Sequence, residues 1–134
     1  MIVVDTNVLA YLLIEGEGTE DAEALRISDP EWAAPRLWRS ELANVLTLYV
    51  RKGEMTVPEA IQRHSAAEAL VQGAEYDVTA DRVLTTAEAG PCSAYDAEFV
   101  ALAQDLGVKL VTADGPLRRA FPGVCVSLKD AARP

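Results

Sequence analysis

The chain is poor in several features that would each point to a class of function. Its 134 residues include only two cysteines, Cys92 and Cys125, which lack metal-motif spacing and are too few for a disulfide framework. A reducing cytoplasm is the expected home. The single histidine, His64, has no serine or cysteine nucleophile at a suggestive spacing and reads as an exposed helix residue. No apolar run approaches the length of a membrane span. Leu9-Ala10-Tyr11-Leu12-Leu13-Ile14 is too short, and it follows Asp5 and Asn7 rather than a basic region, so a signal peptide is not expected. Gly16-Glu17-Gly18 lacks the preceding strand and the lysine of a phosphate loop. Without repeats, low-complexity tracts or linkers, residues 1–134 read as one domain.

Basic charge is scarce as well. Twelve Lys and Arg against twenty-one Asp and Glu leave a formal charge of −9. A general nucleic-acid coat protein would need a net basic surface, and that class is excluded. An enzyme holding nucleic acid through metal ions and a local basic patch is not. Arg36, Arg39, Arg51, Lys52, Arg118 and Arg119 are the material for such a patch, although each also reads as a solvated surface charge.

What the chain does have is an alternation of short β-branched runs with helical periodicity. Strands are expected at Ile2-Val3-Val4, Trp32-Ala33-Ala34, Tyr76-Asp77-Val78, Val108 to Thr112 and Val124-Cys125-Val126. Helices are expected from Val8, from Thr19 to Ile27, from about Pro35 to Gly53, from Thr56 to Val71, from Thr79 or Ala80 to Gly90, and from Ala94 to Leu106. Asp114 would cap a further short helix running through Arg119. The pattern implies an α/β fold with three layers, α/β/α, around a central, mostly parallel five-stranded sheet. Ligands of such folds gather beyond the carboxyl ends of the strands, where Asp5 and Asp114 fall.

Glu41 is the residue that asks for an explanation. Trp38, Leu42, Val45, Leu46 and Tyr49 follow the spacing of one helical face, and Glu41 takes the i+3 place on it. A carboxylate facing a core needs a cation, a donor set or a shifted pKa. Arg39 or Arg36 could neutralise it structurally. The other acids have equally plain readings. Asp5 could N-cap the first helix, Asp96 could belong to a capping box with Ser93, and Asp114 could cap the helix after it. Taken together these readings weaken, because Asp96 shares a stripe with Phe99, Val100, Ala103 and Leu106, and Asp5 and Asp114 leave strand ends at one edge. Converging carboxylates repel without a cation. An oxygen-only cluster suits Mg²⁺ or Mn²⁺ rather than zinc. Thr85-Thr86 and the acids Glu15, Glu17, Glu20, Asp21 and Glu23 read as solvated surface.

Ile2-Val3-Val4-Asp5-Thr6-Asn7-Val8-Leu9, Trp38-Arg39-Ser40-Glu41-Leu42-Ala43-Asn44-Val45-Leu46, Ser93-Ala94-Tyr95-Asp96-Ala97 and Leu110-Val111-Thr112-Ala113-Asp114 resemble the motifs of PIN-domain ribonucleases. Among these they look most like the VapC-type toxins of bacterial toxin–antitoxin pairs. The resemblance implies that Asp5, Glu41, Asp96 and Asp114 form an acidic metal site for Mg²⁺ or Mn²⁺, with Asp5 and Asp96 as the most direct ligands. Glu41 and Asp114 would complete the shell or hold the attacking water, and Asn7 and Thr112 would support the site by hydrogen bonding. It also implies hydrolysis of single-stranded regions of RNA such as tRNA, a homodimer, and an antitoxin that covers the site. Some relatives carry an extra acid after the last motif where this chain has Gly115-Pro116, so the resemblance does not reach a second metal position. Two rivals remain. A haloacid-dehalogenase-like phosphatase would need Asp where Asn7 stands, and a non-catalytic PIN module would have no need of all four acids.

Overall fold

A computed structural model describes residues 1–133. Five strands, β1 (Ile2–Val4), β2 (Trp32–Pro35), β3 (Glu75–Tyr76), β4 (Leu110–Thr112) and β5 (Cys125–Ser127), form one sheet in the order β3-β2-β1-β4-β5. Every pairing is parallel, so the expected mostly parallel sheet is parallel throughout. Buried on both faces, the central strands are short apolar runs. Val3 and Val4 are fully covered, with Val3 opposite Ala33 on one side and Leu110 on the other.

The helices are α1 (Thr6–Leu13), α2 (Thr19–Ser28), α3 (Trp38–Arg51), α4 (Val57–Leu70), α5 (Ala80–Ala89), α6 (Ala94–Leu106), α7 (Gly115–Ala120) and α8 (Leu128–Ala131). They flank the sheet as expected. α6 lies across β1, β2 and β4 with α5 packed on it, while α1 touches β4 and carries α2, α3 and α4. Small residues permit the close approach of α6 to β2: Ala97, Ala101 and Ala103 are fully buried, as are Ala33 and Ala34.

Several details depart from the sequence reading: β3 is Glu75–Tyr76 rather than Tyr76-Asp77-Val78, and β5 is Cys125–Ser127 rather than Val124-Cys125-Val126. β4 begins at Leu110 because the N–H of Val108 is used elsewhere, donating to the Ala103 carbonyl at 3.0 Å across Gly107. Gly107 holds φ 67°, the left-handed conformation that closes α6. A short helix, α8, follows β5 with Ser127 capping it through the N–H of Asp130. His64 is not exposed: its ring stacks on Trp38 at 5.1 Å between centroids, and its nitrogens contact Glu68 and the Arg39 carbonyl. Thr86 is buried as well, and its hydroxyl has no partner among the described residues.

Candidate metal centre at the carboxyl edge of the sheet

The parallel sheet puts the carboxyl ends of β1 and β4 side by side, with the N–H of Asp5 donating to the Val111 carbonyl at 3.1 Å. Asp5 then plays two parts. One oxygen accepts the N–H of Val8 at 3.0 Å, so Asp5 does N-cap α1 and the helix starts at Thr6 rather than Val8. The other accepts the Thr112 hydroxyl and the Ala113 N–H. Thr112 is fully buried, and its hydroxyl also accepts the N–H of Asp114 at 3.0 Å. One side chain thereby fixes the acids at the ends of two neighbouring strands. Asp114 caps α7 by accepting the N–H of Leu117 at 3.0 Å. The Ser93 hydroxyl accepts the N–H of Asp96 at 3.1 Å, which orients the start of α6.

Glu41 comes from the first turn of α3 and is half-buried. Its partner is the Thr6 hydroxyl, which donates to it at 2.7 Å. The arginines expected as possible partners are engaged elsewhere. Arg39 makes a two-pronged contact with Glu75 at 2.7 and 2.8 Å, and Arg36 pairs with Asp77 at 3.2 Å. Asp5, Glu41, Asp96 and Asp114 all line one cleft of about 240 Å³, together with Thr6, Asn7, Asn44 and Phe99. Among the described residues none of the four acids is in an ion pair.

A PIN-domain family model matches residues 2–121. The chain belongs to the PIN-domain family. It is similar to Ribonuclease VapC3 of Pyrobaculum aerophilum, 31% identical over 127 residues that cover 92% of this chain and 96% of that one. Two solved structures share the fold. PAE2754 from Pyrobaculum aerophilum aligns with a TM-score of 0.77 at 20% identity over 98% of this chain and 85% of its own. A toxin–antitoxin complex from Klebsiella pneumoniae aligns with a TM-score of 0.64 at 20% identity over 96% and 98%.

Three acids of the cleft, Asp5, Glu41 and Asp96, are shifted in the same direction in this PIN domain. Burial raises the pKa of Asp5, with the Asp96 charge adding to it against the hydrogen bonds from Thr112, Val8 and Ala113. Burial also raises Glu41, opposed by Thr6 and reinforced by Asp96 and Glu98. Asp96 is raised by burial and then by Asp114. The same field reaches the thiols: Cys125 is pushed up to about 11, by burial first and Asp5 next, which keeps it protonated and inert.

These residues fit a hard divalent cation by donor type, all oxygen. PIN-domain ribonucleases in general use a divalent metal. Among the described residues no group of three or more Asp, Glu, His or Cys side chains is placed to hold a metal ion. A wall of separate carboxylates suits Mg²⁺, which keeps several waters and takes only one or two protein carboxylates. Of the expected supporting residues, Thr112 hydrogen-bonds Asp5, whereas Asn7 is exposed and lines the cleft. Thr6, Asn44 and Glu98 escaped the sequence reading. Thr6 alone left a signal, a hydroxyl at the first helical position beside Asp5. The basic residues do not form one patch. Arg39 stands about 18 Å from Arg51 along α3, while Arg118 and Arg119 come from α7.

Proposed function

We propose that this PIN domain is a Mg²⁺- or Mn²⁺-dependent endoribonuclease that hydrolyses single-stranded regions of a structured RNA such as tRNA, as the toxin of a toxin–antitoxin pair. The observation that carries the reading is the set of four acids from β1–α1, α3, α6 and the β4–α7 turn on one cleft, none of them in an ion pair among the described residues. The relationship to Ribonuclease VapC3 supports the choice of RNA as substrate.

Asp5 and Asp96 would hold the ion, and Thr112 holds Asp5 in place through one oxygen. A divalent ion held there would supply positive charge to the cluster and to a phosphodiester, and would lower the pKa of a water. Glu41 and Asp114 orient the attacking water. Glu41 is placed for this by its position on the cleft and by the Thr6 hydroxyl that holds it. The guanidinium groups of Arg118 and Arg119 lie over Gly115, beside Asp114, within 3.9 and 3.2 Å of where a Cβ would stand. They are suited to an RNA phosphate, so charge at this rim comes from arginine rather than from an added acid. A homodimer and an antitoxin that silences the chain in the cytoplasm belong to the same reading. The apolar groove of about 340 Å³ between α3 and α4, with exposed Val57 and Ile61, offers surface for such partners.

The test is cleavage of single-stranded RNA by the purified chain with Mg²⁺, with Mn²⁺ and with EDTA. Cleavage should need the metal and disappear in Asp5→Asn and Asp96→Asn. Full activity in either folded variant would sink the assignment of these acids, whereas no cleavage by the wild type would leave the non-catalytic module standing. Expression should slow growth, and a co-expressed neighbouring gene product should relieve it. Sequencing RNA ends after brief induction would then name the substrate.

A further inference from the structure

Resting on the ribonuclease reading, we infer that the pocket next to the carboxylate cleft is a nucleobase subsite that selects an amino-bearing base, guanine first, beside the scissile phosphate. The pocket holds about 210 Å³ and shares Asn7 and Val45 with the carboxylate cleft, so a strand lying in the cleft reaches it directly. Tyr11 from α1 and Tyr49 from α3 supply aromatic wall, and Glu15 and Glu17 stand at the loop side.

The loop is built against Tyr11 rather than merely near it. The Thr19 hydroxyl donates to the Tyr11 carbonyl at 2.7 Å and accepts the N–H of Gly16 at 2.9 Å. At Gly18 a Cβ would stand 2.5 Å from the Tyr11 ring, so only glycine lets the loop close this tightly. The wall is therefore held in place before any ligand arrives.

Its chemistry favours a base over a phosphate. Among the described residues no lysine, arginine or histidine lines the pocket, whereas the exposed residues Glu15 and Glu17 do. A phosphate would be repelled there, whereas an uncharged planar ring can stack on tyrosine. Carboxylates accept only, so they favour base edges that donate. Guanine offers N1–H and N2–H side by side. Uracil sets two carbonyl oxygens around its one N–H and is disfavoured.

The experiment uses the full chain, Mg²⁺ and single-stranded oligoribonucleotides carrying each base, or an abasic residue, at each position flanking the cut. At one such position the wild type should prefer guanine over uracil, and the abasic probe should lower kcat/KM by about tenfold or more through KM. Tyr49→Leu should make the base-bearing and abasic probes equivalent, and Tyr49→Phe should restore the difference. Glu17→Gln, in an exposed loop that leaves the core alone, should narrow the guanine preference. Equal cleavage of abasic and base-bearing RNA by the wild type overturns the subsite while the nuclease reading stands. So does an equal loss on all probes in Tyr49→Leu, or an unchanged preference in Glu17→Gln. Failure of the wild type to cut any RNA overturns both.

Discussion

Two acidic regions meet on α3, and they are treated in opposite ways. Two residues before Glu41, Arg39 grips Glu75 with both prongs, the Trp38 indole donates to the same carboxylate at 2.9 Å, and Glu68 closes on Arg39 at 3.4 Å. The Arg39 hydrogen bond pulls Glu75 below the ordinary carboxylate range. Glu41 has one hydroxyl donor and is pushed the other way by burial. The same helix thus carries a finished ion pair and an unfinished one. A protein that needed only stability would complete both. An acid left without its cation is suited to one that arrives from outside.

The largest expected effect breaks the unfinished side. Asp96→Asn should lower RNA cleavage on the order of a hundred- to a thousandfold, yet the metal-free variant should melt no lower than wild type at neutral pH. Asp96 is raised by burial and by Asp114, so its charge burdens the folded state. A clear drop in Tm in EDTA would make Asp96 a structural residue. On the finished side, Glu75→Gln should cost about 1–2 kcal/mol after allowing for solvent around Arg39. Cleavage should stay close to wild type, measured alongside a thermal melt.

Adding Mg²⁺ should raise the Tm of wild type, and this gain should shrink in Asp96→Asn. Calorimetric titration provides the check, and equal gains in both proteins would remove Asp96 from the ligand set. The smallest effect concerns pH. Glu41 has a folded pKa above its ordinary 4.5, so without metal its penalty grows as pH rises through that window and is absent in acid. Glu75 has a folded pKa below 4.5, so its contribution is present above that value and is lost as pH falls through the folded pKa. In EDTA, Glu41→Gln should therefore raise Tm slightly at about pH 7 and leave it unchanged at about pH 3. Glu75→Gln should lower Tm at about pH 7, and that effect should shrink as pH falls below 4.5. Melts across that range would show parallel curves if the two glutamates were equivalent.

Much of this contrast was legible in the sequence, and the rest was hidden for identifiable reasons. Ile2-Val3-Val4 announced a buried strand, and the Trp38–Leu42–Leu46 stripe announced the face on which Glu41 stands. The choice between an arginine partner and a site could not be read there, because Thr6 reaches Glu41 across 35 positions and Arg39 reaches Glu75 across 36. His64 was misplaced for the same reason: its own helix reads as polar, and the surface that covers it is Trp38 from α3. Asp5 and Asp114 taught a different lesson. Their capping and cleft-lining positions are not alternatives, since each spends one oxygen on a helix N-terminus and has another facing elsewhere. The start of β4 was misread because Gly107 draws Val108 back toward α6.

The Thr112 hydroxyl that holds Asp5 lies 107 positions further along the chain. A ribosome has therefore exposed β1, α1, α3 and Glu41 well before it supplies the residues that hold Asp5 in place. Contacts of such separation are made late, after the loop-closure cost has been met. A nascent or prematurely released chain ending before β4 thus lacks both Asp114 and the anchor for Asp5. For a PIN domain whose activity would be directed at the cell's own RNA, assembly order alone delays competence until the segment from Leu110 to Asp114 has been made.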